Sequence, residues 1–174
     1  MHNAAILCSQ LGIEQAISQF VLEWVNPIRQ KLFPGMQPFI GQHSYIVRYG
    51  GGFDNQLGFH VDASDLTLNI CLQEAADGAE IYFQGVRCAL HIDEPAAIHE
   101  QWEWKHKQGV GLFHHGKNRH GVRPINGGRR INLIIWCQSD DGHKNWNQNW
   151  EQGVCPPWCG FEESVTSANS FASK

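Results

Sequence analysis

The sequence predicts a mainly β fold, a sandwich or barrel with a helical segment ahead of it. Helical periodicity is confined to residues 12–33, and from residue 42 the texture changes to short β-branched and aromatic runs punctuated by glycine. A chain of 174 residues is about one domain, large enough to bury on the order of two-thirds of its unfolded surface.

In the helical segment Ile13, Ala16, Ile17, Phe20, Val21, Trp24, Val25 and Ile28 recur at helical spacing, and Pro34-Gly35 ends the run. Pro27 lies inside the pattern and is expected to kink or divide the helix near Val25. The strand-like runs are residues 43–49, 66–73, 80–83, 96–104, 110–113 and 130–136. In residues 66–73, Leu66, Leu68, Ile70 and Leu72 alternate with Thr67, Asn69, Cys71 and Gln73. One face is therefore apolar enough to pack on a helix or second sheet; the other reads, from alternation alone, as either solvated or cavity-lining.

The expected organisation is one domain over residues 1–138, with its helical segment packed on one sheet and its barrel spanning about 42–138. Residues 139–174, rich in Asn, Gln, Gly, Ser and Trp, read as an irregular extension with a disordered end. Trp146, Trp150 and Trp158 are expected to pack that tail onto the barrel, or to sit near a cavity mouth.

The net charge of −4 comes from scattered residues, with no basic stripe, so charge gives no reason to propose a nucleic-acid partner. No run approaches the roughly 18 apolar residues of a membrane span, and the first residues lack the pattern of a secretory signal. Cys71, Cys88 and Cys137 lie in or beside apolar runs, where a thiol behaves as a small hydrophobe; this fits a reducing, cytoplasmic setting. Cys155 and Cys159 read foremost as part of a rigid turn, with half a zinc site or a redox pair as alternatives, because two cysteines do not complete a tetrahedral site.

The chemistry concentrates in His60-Val61-Asp62 and the distant His120. On extended chain, positions i and i+2 face the same way, so an imidazole and a carboxylate converge. A second histidine completes the two-His, one-carboxylate set of non-haem Fe(II) sites, which leaves coordination positions open. The other such triplet, His91-Ile92-Asp93, precedes Glu94-Pro95 and reads as turn chemistry. His114 and His115 compete with His120, but as neighbours on a strand at most one faces the metal. Downstream, residues 124–128 have hairpin-turn composition, and folding about Asn126 would set His120 near Asn132 and Val122 near Arg130. Arg130, Asn132 and Ile134 share one face of the next strand, so Arg129 points away. A buried arginine on an apolar strand needs an anion, and its planar fork suits a carboxylate.

Taken in order, Tyr49, the block Gly58-Phe59-His60-Val61-Asp62-Ala63-Ser64, residues 66–72, the block Gly78-Ala79-Glu80-Ile81-Tyr82-Phe83 and residues 120–136 resemble the prolyl 4-hydroxylase-type branch of the 2-oxoglutarate/Fe(II) oxygenase superfamily. The texture is similar to lysyl hydroxylase catalytic domains and to the 2-oxoglutarate and iron-dependent oxygenase domain-containing proteins, over about residues 42–137. The resemblance implies a double-stranded β-helix, a jelly-roll or cupin-like barrel with iron at one open end. It implies His60, Asp62 and His120 as iron ligands, Arg130 as partner of the 2-oxoglutarate C5 carboxylate, Tyr49 as a hydrogen-bonding wall, and Asn69 and Asn132 as further lining positions. Thr67, Asn69 and Cys71 then become cavity residues.

The activity so implied is that of a dioxygenase using Fe(II), 2-oxoglutarate and O2, with ascorbate as reductant. It would hydroxylate a C–H bond, foremost on a peptide or protein side chain of prolyl or lysyl type, releasing succinate and CO2. Asp62, where a halogenase carries a small residue, speaks for hydroxylation. The alternatives are a hydroxylase of a free amino acid or small metabolite, an inactive metal-binding barrel serving as an interaction module, and a zinc hydrolase, which leaves Arg130 unexplained. Two positions depart from the family pattern: Gly78-Ala79 stands where relatives carry a glycine pair, and Ile131 where they often carry an aromatic.

Overall fold

The computed structural model of the chain describes residues 5–139, 155 and 159–161. In order these form β1 (Ala5–Leu7), α1 (Glu14–Phe20), a π-helical turn (Val21–Val25), α2 (Asn26–Leu32), β2 (Phe39–Tyr49), β3 (Leu57–His60), β4 (Leu66–Gln73), β5 (Asp77–Gly78) and β6 (Ile81–Val86). Two 3-10 turns (Ala89–His91 and Ile98–Glu100) lead to β7 (Gln101–Trp104), β8 (Gly111–His115), β9 (Asn118–Val122), β10 (Ile125–Gly127) and β11 (Arg130–Ser139). The expected disorder of the tail and the placement of Trp146, Trp150 and Trp158 lie outside the described residues.

A five-stranded sheet runs β1-β2-β11-β4-β8 and a four-stranded sheet runs β3-β9-β6-β7, with β10-β5 as a small ribbon. Every pairing is antiparallel. The chain alternates between the two main sheets, with β2, β4, β8 and β11 in the larger and β3, β6, β7 and β9 in the smaller. That alternation makes the double-stranded β-helix.

Period-two patterning sorts the strands onto two cores. Leu66 and Leu68 of β4 and Ile135 and Cys137 of β11 point outward to meet Ile17, Val21 and Val25 of the helical segment. Val47 and Tyr49 of β2 and Ile134 of β11 point inward and pack on Val122 of β9. The helix thus lies on the larger sheet, and the space between the sheets is left for the site. Among the described residues no helix is long and apolar enough to cross a membrane.

The helical stripe is narrower than the apolar pattern predicts. Ile17, Val21 and Val25 are buried, and so is Arg29, whereas Trp24 is 61% and Ile28 37% exposed. A spacing of four outruns the 3.6-residue turn, and the π turn at Val21–Val25 supplies wider i→i+5 winding that keeps the stripe facing the sheet. Pro27 is the second residue of α2, which continues from the π turn without a break, so the expected division near Val25 takes the form of that π turn and not of a gap.

The expected hairpin about Asn126 does not form. β11 is paired along both edges, by β2 and β4, and β9 likewise by β3 and β6, so neither has an edge left for the other. The intervening turn composition serves a crossover between sheets instead, braced by β10 against β5. Residues 96–104 also differ: a 3-10 turn occupies Ile98–Glu100, and strand begins at Gln101. β3 and β9, short and glycine-containing, lack a β-branched run and take strand form from pairing.

Candidate metal centre

His60 ends β3 and His120 lies within β9, and the two are cross-strand partners, with ring centroids 4.3 Å apart. Asp62 follows just beyond β3. Its N–H donates to the Gly116 carbonyl at 2.8 Å, and its own carbonyl accepts from Lys117 Nζ at 2.9 Å, so the β8–β9 turn fixes the loop that carries it. The carboxylate then faces both rings, with Oδ1 3.5 Å from His60 Nε2 and Oδ2 3.7 Å from His120 Nε2. The three donor atoms lie within 4.8 Å of one another.

Each ring is held in the ligating tautomer. His60 Nδ1 lies 2.8 Å from the Gly58 carbonyl and His120 Nδ1 lies 2.8 Å from the Asn118 carbonyl. A carbonyl only accepts, so Nδ1 carries the proton and the lone pair is left on Nε2, on the Asp62 side. Thr67 Oγ1 donates to Asp62 Oδ2 at 2.6 Å, and Ser64 Oγ lies 2.9 Å from Thr67 Oγ1. These are the outer contacts that orient metal ligands.

The charge states suit a cation. Burial disfavours ionising Asp62, but with no metal bound a proton on His60 Nε2 that donates to it, the fields of His120 and His114, and the Thr67 bond outweigh that and hold the carboxyl down to about 2. Burial, with His114 beside it, brings His120 down to about 3. An ionised carboxylate and a neutral imidazole are the forms a metal binds. The donor set, two imidazole nitrogens and one carboxylate, is that of Fe(II) rather than of a thiolate-bound soft metal.

His114 is a third imidazole at the centre. Its ring lies 4.6 Å from that of His120, its Nε2 is 3.9 Å from Asp62 Oδ2, and that nitrogen is buried with no hydrogen-bond partner among the described residues. Alternation allowed one of His114 and His115 to face the site, and His114 does. His115 Nδ1 instead accepts from the Lys117 N–H at 3.1 Å.

Arg130 is 1% exposed, whereas Arg129 is exposed. Arg130 Nε donates to Asn132 Oδ1 at 2.8 Å, Nη1 donates to the Ala79 carbonyl, and Nη2 lies 3.3 Å from His106 Nδ1. Three of five guanidinium N–H groups are thereby engaged, all by neutral acceptors. Among the described residues no carboxylate pairs with it. The Ala79 carbonyl is presented by a turn in which Gly78 (φ 75°) and Ala79 (φ 62°) are both left-handed. The alanine that departs from the family's glycine pair therefore carries strain of roughly 1–2 kcal/mol.

The guanidinium stands at the edge of the cavity, not on its surface. A cavity of about 690 Å³ is lined by His60, Asp62, His120, Thr67, Asn69 and Tyr49, among others. Tyr49, opposite Arg130 in register, has its ring centroid 5.7 Å from Arg130 Cζ. Asn132 Nδ2 donates to Asn69 Oδ1, which links the arginine cluster to the cavity wall. Burial, against the pull of Arg130, pushes the Tyr49 phenol up, so it stays a neutral donor. Of the expected lining positions Tyr49 and Asn69 border the cavity, whereas Asn132, fully buried, stands with Arg130 behind its wall, and Arg130 meets the cavity through Tyr49 and the asparagine pair. Cys71, expected as a cavity residue, is buried opposite Asn132.

His106 escapes sequence reasoning. Its Nε2 lies 2.9 Å from the Val110 carbonyl and so carries the proton, leaving Nδ1 to accept from Asn132 Nδ2 at 3.1 Å and from Arg130. Tyr45 and Trp136 also line the cavity, packed edge to face at 5.5 Å. Alternation along residues 43–49 would have placed Tyr45 on the Tyr49 face, but no local signal singles out His106.

No family model matches the chain. The 2-oxoglutarate and iron-dependent oxygenase domain-containing protein ICU11 of Arabidopsis thaliana is 36% identical over 92% of this chain, which spans 40% of that relative's length. Procollagen-lysine,2-oxoglutarate 5-dioxygenase 1 of Gallus gallus is 28% identical over 62% of the chain and 15% of its own length. A solved prolyl 4-hydroxylase structure from Phytophthora capsici superimposes with TM-score 0.58 at 13% identity, over 79% of this chain and 48% of that one, and shares the fold.

Proposed function

We propose that this chain, which belongs to the family of 2-oxoglutarate and iron-dependent oxygenase domain proteins, is a dioxygenase that hydroxylates a C–H bond and releases succinate and CO2. The observation that carries the reading is the convergence of the His60 and His120 Nε2 lone pairs with the Asp62 carboxylate on a cavity backed by a buried arginine. His60, Asp62 and His120 would hold the iron, which, with 2-oxoglutarate and O2, supplies the oxidative decarboxylation that powers hydroxylation. Three protein ligands would leave coordination positions for co-substrate and O2.

The remaining residues position and insulate. The carbonyls of Gly58 and Asn118 keep both imidazoles aimed, and Thr67 restrains the carboxylate. Arg130, with two N–H groups uncommitted and no carboxylate partner among the described residues, would take the distal carboxylate of 2-oxoglutarate, with the Tyr49 hydroxyl as second donor. Asn69 and Asn132 would hold the guanidinium in register. The apolar walls, including Val47, Val122 and Ile134, exclude water from the reacting centre.

For the substrate we favour a peptide or protein side chain. Trp102, 47% exposed, lies on β7 across Phe83 from His120, all three on one face of the smaller sheet. β7 is one of the two edge strands of that sheet among the described residues, and an edge strand beside an exposed aromatic can receive an extended peptide. The lysyl-dioxygenase relative points the same way. The test is anaerobic addition of Fe(II) and 2-oxoglutarate followed by O2, with proline- and lysine-containing peptides against free amino acids. We expect a visible metal-to-ligand charge-transfer band, then succinate release stimulated by a peptide. A chain with no band and no succinate from any mixture overturns the oxygenase reading.

A further inference from the structure

A second cluster of metal-binding side chains lies away from the His60, Asp62 and His120 centre. Cys88 follows β6, His91 ends the 3-10 turn after it, and Cys155 and Cys159 come from the far end of the chain. Their three sulfurs and the His91 Nδ1 lie within 4.8 Å of one another. The nitrogen is 3.3 Å from Cys88 Sγ, 3.5 Å from Cys155 Sγ and 3.6 Å from Cys159 Sγ.

Hydrogen bonds to His91 do not account for all three approaches. An Nδ1 atom has one proton or one lone pair, so it satisfies one of three thiols and not all three. None of the four side chains is in a disulfide. A tetrahedral metal does account for it: with Zn–S near 2.3 Å and Zn–N near 2.0–2.1 Å, nitrogen and sulfur donors stand about 3.5 Å apart.

The surroundings match as well. The Cys88 N–H donates to Cys159 Sγ at 3.3 Å, the contact that offsets charge on a metal-bound thiolate. Phe161 stacks on the His91 ring at 4.1 Å between centroids, fixing its plane. The Gly160 N–H donates to the Val86 carbonyl at 3.0 Å, holding the second pair of ligands beside the first. Arg87, paired with Glu100 at 2.6 Å, and Arg119, which donates to the Ile92 and Glu94 carbonyls, brace the loop around His91.

We propose that Cys88, His91, Cys155 and Cys159 form a closed Cys3His zinc site that fastens the segment carrying Cys155 and Cys159 to the β6–β7 connection. The spacings, Cys88-x2-His91 and Cys155-x3-Cys159, fit such sites. Soft thiolates separate it from the oxygen- and nitrogen-bound iron centre, so each metal has its own address. Four protein ligands leave no open position, so the site is structural. Arg119 joins the clamped loop to β9 one residue before His120, so the zinc also steadies the strand that carries an iron ligand. Cys155 and Cys159 are then one half of a site completed by residues far away in sequence, including the His91 set aside as turn chemistry.

The proposal is tested on the whole chain by metal analysis after expression with added zinc. We expect about one zinc per chain, retained in His60→Ala and Asp62→Ala, which lose iron. It should be lost in Cys155→Ser and Cys159→Ser and kept in His99→Ala. The X-ray absorption edge of the zinc should fit three sulfurs and one nitrogen. Where a cysteine variant fails to fold, alkylation of the native chain decides: Cys88, Cys155 and Cys159 should be protected until a chelator is added. A chain that holds no zinc, that reacts at Cys155 at once with or without chelator, or that has Cys155 oxidised to Cys159 under reducing purification overturns it. So does zinc bound only at the His60 and His120 centre.

Discussion

Thr67 Oγ1 lies 2.6 Å from Asp62 Oδ2, a buried hydroxyl on β4 restraining the one carboxylate at the metal centre. Thr67→Val keeps the shape and removes the donor. We expect metal affinity to fall about tenfold, as for other second-layer contacts, with little change in melting temperature. Anaerobic Fe(II) titration with thermal unfolding checks this; unchanged affinity would show that Asp62 is held by Gly116 and Lys117 alone.

Arg130 and Arg129 are neighbours with opposite fates, one buried and one exposed. Arg130→Ala should weaken 2-oxoglutarate binding about a hundredfold or more, since charged hydrogen bonds contribute roughly 1.5–3 kcal/mol each, while iron is still bound. Arg129→Ala should leave both intact, and His60→Ala or Asp62→Ala should lose the metal. Selective loss of 2-oxoglutarate in Arg129→Ala would place the anchor on the wrong side of the strand.

His106 gives a pH signature. Burial first, then the adjacent Arg130 charge, bring it down to about 4, against the Val110 carbonyl that raises it. A folded value below the unfolded one of about 6.5 means the unfolded chain takes up the proton first. Its contribution is therefore complete above about pH 6.5 and drains away as pH falls toward 4. The full span is on the order of 3 kcal/mol. Denaturation midpoints from pH 7 to 4.5 should show this slope, and His106→Asn should flatten it. An equal slope in both proteins would remove His106 as the source.

Gly116 sits where a Cβ would stand 2.0 Å from the Ser64 backbone carbonyl. Backbone cannot swing aside as a side chain can, so Gly116→Ala must displace the loop that carries Asp62. We expect a loss of about 2 kcal/mol or more together with loss of metal. A crystal structure of the variant with the loop in place would refute the steric account.

On the helix, Val25→Ala should destabilise by roughly 2 kcal/mol, because Val25 is fully buried on the larger sheet. Trp24→Ala should change stability by less than about 0.5 kcal/mol. Urea midpoints check both, and a reversed ranking would mean that the apolar period, not the observed packing, sets the helix face.

The short-period features were readable from the residues themselves. Alternation assigned the two faces of residues 66–73, put Arg130 inward and Arg129 outward, and allowed one of His114 and His115 to face the site. A two-residue step made His60 and Asp62 neighbours in space. These follow from backbone geometry over a few residues, which every strand shares.

Where strands pair and which distant groups meet was decided by the tertiary structure alone. Turn composition at residues 124–128 suits a hairpin and a crossover equally, and the edges of β11 were already taken by β2 and β4. His106 became the acceptor behind Arg130 because the β7–β8 connection folds back over the barrel, and Cys155 and Cys159 met Cys88 and His91 across more than sixty residues. The sequence by itself determined the mainly β class and the ligand types, since both are written in local pattern. The register, the crossover and the four-residue sulfur and imidazole cluster came only with the fold, because long-range contacts are chosen by which edges and faces remain to be filled.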